Sequence, residues 1–159
     1  MVIYTLRREL DHALLEEFFY LAVYCPPGNP PYPRSIVELP ELLKYHKDFG
    51  RPGDLAVTAE DTVTTGIAWL RLFPENDPGY GFVAGDIPEL GVSVLPARRG
   101  EGIGGELVRL LEQAAFADGV RAISLSVNTD NPAMRLYARI GYEVVRVDGD
   151  SSVMVKRLK

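Results

Sequence analysis

Apolar residues recur along this chain with two periods, and the switches between them divide it into strands and helices. Val2 to Leu6 alternates as a short strand, and Asp11 stands as the N-cap of a helix that places Leu14, Leu15, Phe18 and Leu21 on one face. The proline-rich run Cys25-Pro-Pro-Gly-Asn-Pro-Pro-Tyr-Pro33 stops that helix. Ser35-Ile-Val-Glu38 has capping-box spacing, and Ile36, Leu39, Leu42, Leu43 and His46 keep a helical period, which predicts a second helix ending near Phe49-Gly50. Leu55 to Ala59 and Val63 to Phe73, on either side of Glu60-Asp61, read as an antiparallel hairpin of β-branched and aromatic residues. A loop with turn signals at Asn76-Asp77-Pro78-Gly79 follows.

The second half repeats the alternation. Glu89 to Val94 is a strand, Gly105 to Phe116 a helix, and Ala122 to Val127 another strand. Asn131-Pro132 opens a short helix as N-cap and first helical residue, and Gly141 ends it. Tyr142 to Val147 and Ser152 to Leu158, joined through Asp148-Gly149-Asp150, close the chain as a hairpin. The sum is an α/β (α+β) fold in one domain over residues 1–159: a mixed, mostly antiparallel central sheet flanked by helices on both faces.

Between the strand ending at Val94 and the helix that follows, Val92-Ser-Val-Leu-Pro-Ala-Arg-Arg-Gly-Glu-Gly-Ile-Gly-Gly105 becomes dense in glycine. Glycines at 100, 102, 104 and 105 let backbone N–H groups crowd around an anion, and the helix start adds unpaired donors and a positive dipole end. The ligand this predicts carries phosphate or pyrophosphate. Two motifs compete for the stretch. Gly100-x-Gly102-x-x-Gly105 satisfies the dinucleotide-binding fingerprint, with Asp130 as its acid, but the remaining chain has room for few of the further βα units a doubly wound domain needs.

The other reading starts at Arg99, in Arg99-Gly-Glu-Gly102-Ile-Gly104 after Val94-Leu-Pro96, and resembles the pyrophosphate loop of the GNAT family of N-acetyltransferases. Downstream, Leu125-Ser-Val127, Asn131-Pro-Ala-Met-Arg-Leu-Tyr137 and Ile140-Gly-Tyr142 look like that family's second block. Both blocks stand in the family's order and at about its separation; the N-terminal half matches in element order only. The resemblance implies acetyl-CoA as cosubstrate. It places Val92, Ser93, Val94, Arg99, Gly100, Glu101, Gly102, Ile103, Gly104 and Gly105 along the cofactor. Asn131 then lies by the pantetheine arm and Tyr137 by the sulfur, and the strand around Val92 splays from its neighbour to admit that arm.

Acetyl transfer needs a base and an acid, because an amine of pKa about 10 must lose a proton before attacking a thioester and the departing thiolate must gain one. Tyr137 is the candidate acid, and Asn131 serves both as helix cap and as cofactor contact, since a cap uses one side-chain oxygen. Glu89 is the candidate base, directly or through a water, with an exposed strand-edge charge as the plain alternative and Asp86 and Glu75 as substitutes. A backbone N–H between Val92 and Val94, freed by a bulge, would answer the developing oxyanion. Tyr24, Tyr32, Arg34, Tyr80 and Phe82 on two loops are candidates to meet the acceptor. The expected reaction is direct attack of a small-molecule or peptide amine on bound acetyl-CoA. A non-catalytic acyl-CoA sensor of the same fold and a nucleotide-cofactor enzyme are the competing readings.

The bulk properties narrow the field. With 159 residues, 47% of them hydrophobic, the chain can bury one core. A net charge of −5 argues against a general nucleic-acid binder. Cys25 is the only cysteine, which excludes an intrachain disulfide, and Trp69 in its alternating strand reads as core or sheet surface rather than a substrate platform. His12 and His46 have no Cys or His partner at metal-ligand spacing, so no metal is expected. No apolar run is long enough to span a bilayer, which makes a cytoplasmic protein without a membrane partner the default. Dimers are common in such folds, so a homodimer is one expected state.

Overall fold

A residue's burial along β2 (Leu55–Asp61) and β3 (Val63–Arg71) depends on which face its side chain takes, and both faces are covered. Leu55, Val57, Ala59, Ala68 and Leu70 pack beneath Leu107, Val108, Leu111 and Ala115 of α3 (Ile103–Ala117). Ala56, Ile67 and Trp69 point the other way, against Leu15, Phe18 and Phe19 of α1 (His12–Ala22). Trp69 is therefore core. The computed structural model describes residues 1–159, and the remaining elements are β1 (Ile3–Arg7), α2 (Pro40–Leu43), β4 (Glu89–Val94), β5 (Ala122–Asn128), α4 (Ala133–Arg139), β6 (Glu143–Asp148) and β7 (Ser151–Arg157).

One seven-stranded sheet runs in the order β1-β2-β3-β4-β5-β7-β6, with β4 and β5 as the parallel pair and every other neighbour antiparallel. A parallel pair requires a long crossover, which α3 supplies. The mixed sheet with helices on both faces is the architecture the pattern predicts. Asp11 caps α1 by accepting from the Leu14 N–H at 3.1 Å. No helix is long and apolar enough to cross a membrane.

The second helix departs from expectation. In place of one helix from Ser35 to Phe49, a 3-10 turn over Arg34–Glu38 is followed by the four residues of α2. Ser35 lies inside that turn, so there is no capping box. Pro40 is the cause: it disfavours helical backbone at the residue before it, and Leu39 is extended, with φ −60° and ψ 137°. The turns after α2 are held instead by a buried ion pair. Arg71 donates to both carboxylate oxygens of Asp54 at 3.0 and 2.7 Å and to the carbonyls of Lys44 and Lys47 at 3.0 and 2.6 Å, while Asp54 accepts from the N–H groups of Gly50 and Arg51.

Candidate functional site

The sheet opens between β4 and β5. β4 pairs with β3 along all six of its residues, whereas its ladder with β5 is the single pair Glu89↔Ser124. Leu95 N–H reaches Thr65 on β3, and the Pro88 carbonyl accepts from Ser124 on β5. Alternation along the strand therefore turns the N–H groups of Val92 and Val94 toward β5, past its last partner. The bulge expected in β4 is absent, since its register with β3 does not shift. Separation of the neighbouring strand is what leaves these donors unpaired.

A cleft of about 1340 Å³ occupies this opening, larger than the ~300–1,000 Å³ of common small-molecule pockets. One wall carries Val92, Ser93, Val94, Arg99, Gly100, Gly102, Ile103, Gly104 and Gly105. Gly100 and Gly102 have φ of +81° and +83°, a left-handed backbone that only glycine adopts readily, and an added Cβ would meet nothing within 4 Å. Conformation, not room, requires glycine there. Gly102 caps α3 without a side chain, so the N–H groups of its first turn stay unsatisfied toward the cleft. Arg99 is exposed beside them; its backbone N–H donates to the Pro96 carbonyl, but its side chain makes no ion pair or hydrogen bond within the chain, which leaves the guanidinium available to an anion. Glu101 is the member of the predicted set that does not line the cleft; its carboxylate holds Arg98 at 3.1 Å.

The opposite wall comes from α4 and the proline-rich loop. Asn131 Oδ1 accepts from the Ala133 N–H at 2.9 Å, leaving its amide hydrogens free, as capping predicts. Tyr137 stands edge-on to Tyr142 with ring centres 6.0 Å apart, and its hydroxyl has no hydrogen-bond partner. Burial pushes the Tyr137 phenol up to about 12, so it is a neutral proton donor at physiological pH. Tyr24 and Tyr32 line this wall, and Tyr24 hydrogen-bonds the Asp130 carbonyl across it. Arg34 is turned away, stacked on Tyr20 and paired with Glu17. The sequence reading missed Arg109 and Arg139, which also line the cleft; a helical-wheel projection onto the glycine-loop side of α3 would have flagged Arg109.

Glu89 is neither an exposed edge charge nor part of this cleft wall. It is 4% exposed and belongs to the α1 face of the sheet, at the apex of the opening. Oε1 accepts from the Tyr45 hydroxyl at 3.0 Å and the Gly81 N–H at 2.9 Å, while Oε2 is buried with no partner. Burial raises its pKa above the usual carboxylate range, partly offset by those two hydrogen bonds. The loop between β3 and β4 presses over it: a Cβ on Gly79 would fall 2.1 Å from Oε2, and one on Gly81 would fall 2.8 Å from the backbone of Leu125. Tyr80 and Phe82 belong to this cover, and Tyr80 N–H donates to the Tyr45 hydroxyl at 2.6 Å. Asp86 and Glu75 are exposed and line no part of the cleft.

The model of the acetyltransferase (GNAT) family matches residues 12–142. No curated protein matches the sequence. Among solved structures, an N-acetyltransferase of Thermoplasma acidophilum in complex with coenzyme A superposes with a TM-score of 0.65 at 18% identity, covering 98% of this chain and 99% of that one. A putative acetyltransferase of Salmonella typhimurium with acetyl-CoA gives 0.68 at 21% identity, over 99% and 95%. A phosphinothricin acetyltransferase of Sinorhizobium meliloti with acetyl-CoA gives 0.66 at 21%, over 98% and 88%. These likenesses establish the fold.

Proposed function

The chain belongs to the acetyltransferase (GNAT) family, and from that premise we propose that it transfers the acetyl group of acetyl-CoA to an amine acceptor by direct attack in a ternary complex. The observation that carries the reading is the opening of the sheet beyond Glu89↔Ser124, with unsatisfied helix-start donors at its mouth. The pyrophosphate sits against the N–H groups of residues 102–105 with Arg99 beside it. The pantetheine arm lies along the unpaired edge of β4, and the Asn131 amide donates to it. The thioester carbonyl meets the N–H groups of Val92 and Val94, which stabilise the oxyanion as the amine attacks.

Two proton movements complete the transfer. Glu89, with Oε1 fixed by Tyr45 and Gly81, accepts the amine proton on Oε2, directly or through a water once the covering loop yields. The carbon–sulfur bond then breaks, and the Tyr137 hydroxyl protonates the leaving thiolate. Products are the acetamide and free coenzyme A. A sensor that only binds acyl-CoA has no use for an unpartnered phenol at this position, which favours the enzyme.

Thiol release from acetyl-CoA, assayed with a polyamine, an amino acid and a peptide N-terminus, tests the reading. One free thiol per acetamide formed with at least one of these amines is the expected result. Saturable acetyl-CoA binding without thiol release on any of them would favour the sensor.

A further inference from the structure

On the α1 face, away from the cleft, the fold brings His46 against a pair of residues on α1 that the sequence places far from it. His12 and Glu16 are one helical turn apart on α1, with Nε2 and Oε2 3.0 Å from each other. His46, in the turns after α2, is fully buried against them, its ring centre 5.7 Å from that of His12 and 5.0 Å from that of Phe19. Nε2 of His46 lies 2.9 Å from the Val37 carbonyl, which only accepts, so Nε2 carries the proton and Nδ1 carries the lone pair. Nδ1 has no hydrogen-bond partner although it is buried. Such an orphan is rare in folded proteins, and a bound ion is one explanation of it.

One ligand atom from each of His12, Glu16 and His46 lies within 4.8 Å of the others. We infer that these three side chains form a site for a divalent transition-metal ion, zinc being the best match to two imidazole nitrogens and a carboxylate oxygen, with water in the fourth position. The Val37 carbonyl is the outer partner that fixes the tautomer and orientation of His46. Zinc–nitrogen bonds of about 2.0–2.1 Å need the donors to close to about 3.3 Å in a tetrahedron. The side chains of His12 and Glu16, 57% and 38% exposed, are free to swing in toward the fixed His46. The ion clamps the first turn of α1 to the segment carrying Tyr45, which holds Glu89; its role is structural, outside the path of the reacting atoms.

The test uses the whole chain stripped by a chelator, titrated with Zn²⁺ in a calorimeter and with Co²⁺ by visible absorption. Binding of one ion per chain, a four-coordinate Co²⁺ spectrum and a raised thermal midpoint are expected. His12→Ala and Glu16→Gln alter exposed side chains, so each should weaken Zn²⁺ by at least about 10–100-fold while leaving the metal-free thermal midpoint and acetyl-CoA affinity unchanged. Absence of saturable Zn²⁺ binding, or binding that both variants retain in full, would overturn the site.

Discussion

Tyr137 and Glu89 approach the opening in the sheet from opposite faces, and their environments suit the opposite tasks proposed for them. Tyr137 packs on the α3 side with its phenol pushed up to about 12. Tyr137→Phe should therefore keep acetyl-CoA affinity and slow transfer by about 100- to 10,000-fold, the range for a positioned acid; calorimetry beside a thiol assay separates the two effects. As the proposed base, Glu89 would work only when ionised, and burial raises its pKa, so kcat/KM should climb with pH through a value above the ordinary carboxylate near 4.3. Glu89→Gln should remove that limb from the pH profile. The cap made by Asn131 was legible because it depends on a residue two positions away, whereas Tyr137 was singled out by the family resemblance. The cover over Glu89 was not legible, since Tyr45 and Gly81 reach it from 44 and eight positions off.

At the scale of elements, hydrophobic period located every strand, and it misread the second helix for a definite reason. Ile36, Leu39, Leu42, Leu43 and His46 keep helical spacing whether or not the backbone between them is continuous, and Pro40 interrupts it. What replaces helical hydrogen bonds there is Arg71, a strand residue whose charge gave no sign of burial. Arg71→Met should cost about 3–5 kcal/mol, because it strands Asp54 as an unpaired buried charge and frees the carbonyls of Lys44 and Lys47. Urea unfolding measures this, and an unchanged midpoint would mean the ion pair does not hold the segment.

Across the whole molecule, the opening of the sheet depends on which strands become neighbours, and no local pattern carries that information. The family resemblance implied the splay; the β4–β5 register displays it. Global stability should also respond to pH at the alkaline end. Tyr45, Tyr137 and Tyr142 are all raised, chiefly by burial, so phenols in the unfolded chain ionise near pH 10 while these three keep their protons. Stability is complete below that pH and should fall as pH climbs beyond it, read as a declining urea midpoint between about pH 9 and 11. The central claim concerns the cofactor. Calorimetric titration with acetyl-CoA, with NAD as control, compares wild type and Gly104→Glu, where a Cβ makes only ordinary contact with Val94 at 3.7 Å and the added negative charge lies beside the proposed pyrophosphate site. Saturable binding of acetyl-CoA alone, lost in a folded Gly104→Glu variant, is the predicted result; binding of NAD instead, or equal acetyl-CoA affinity in both proteins, would contradict the account.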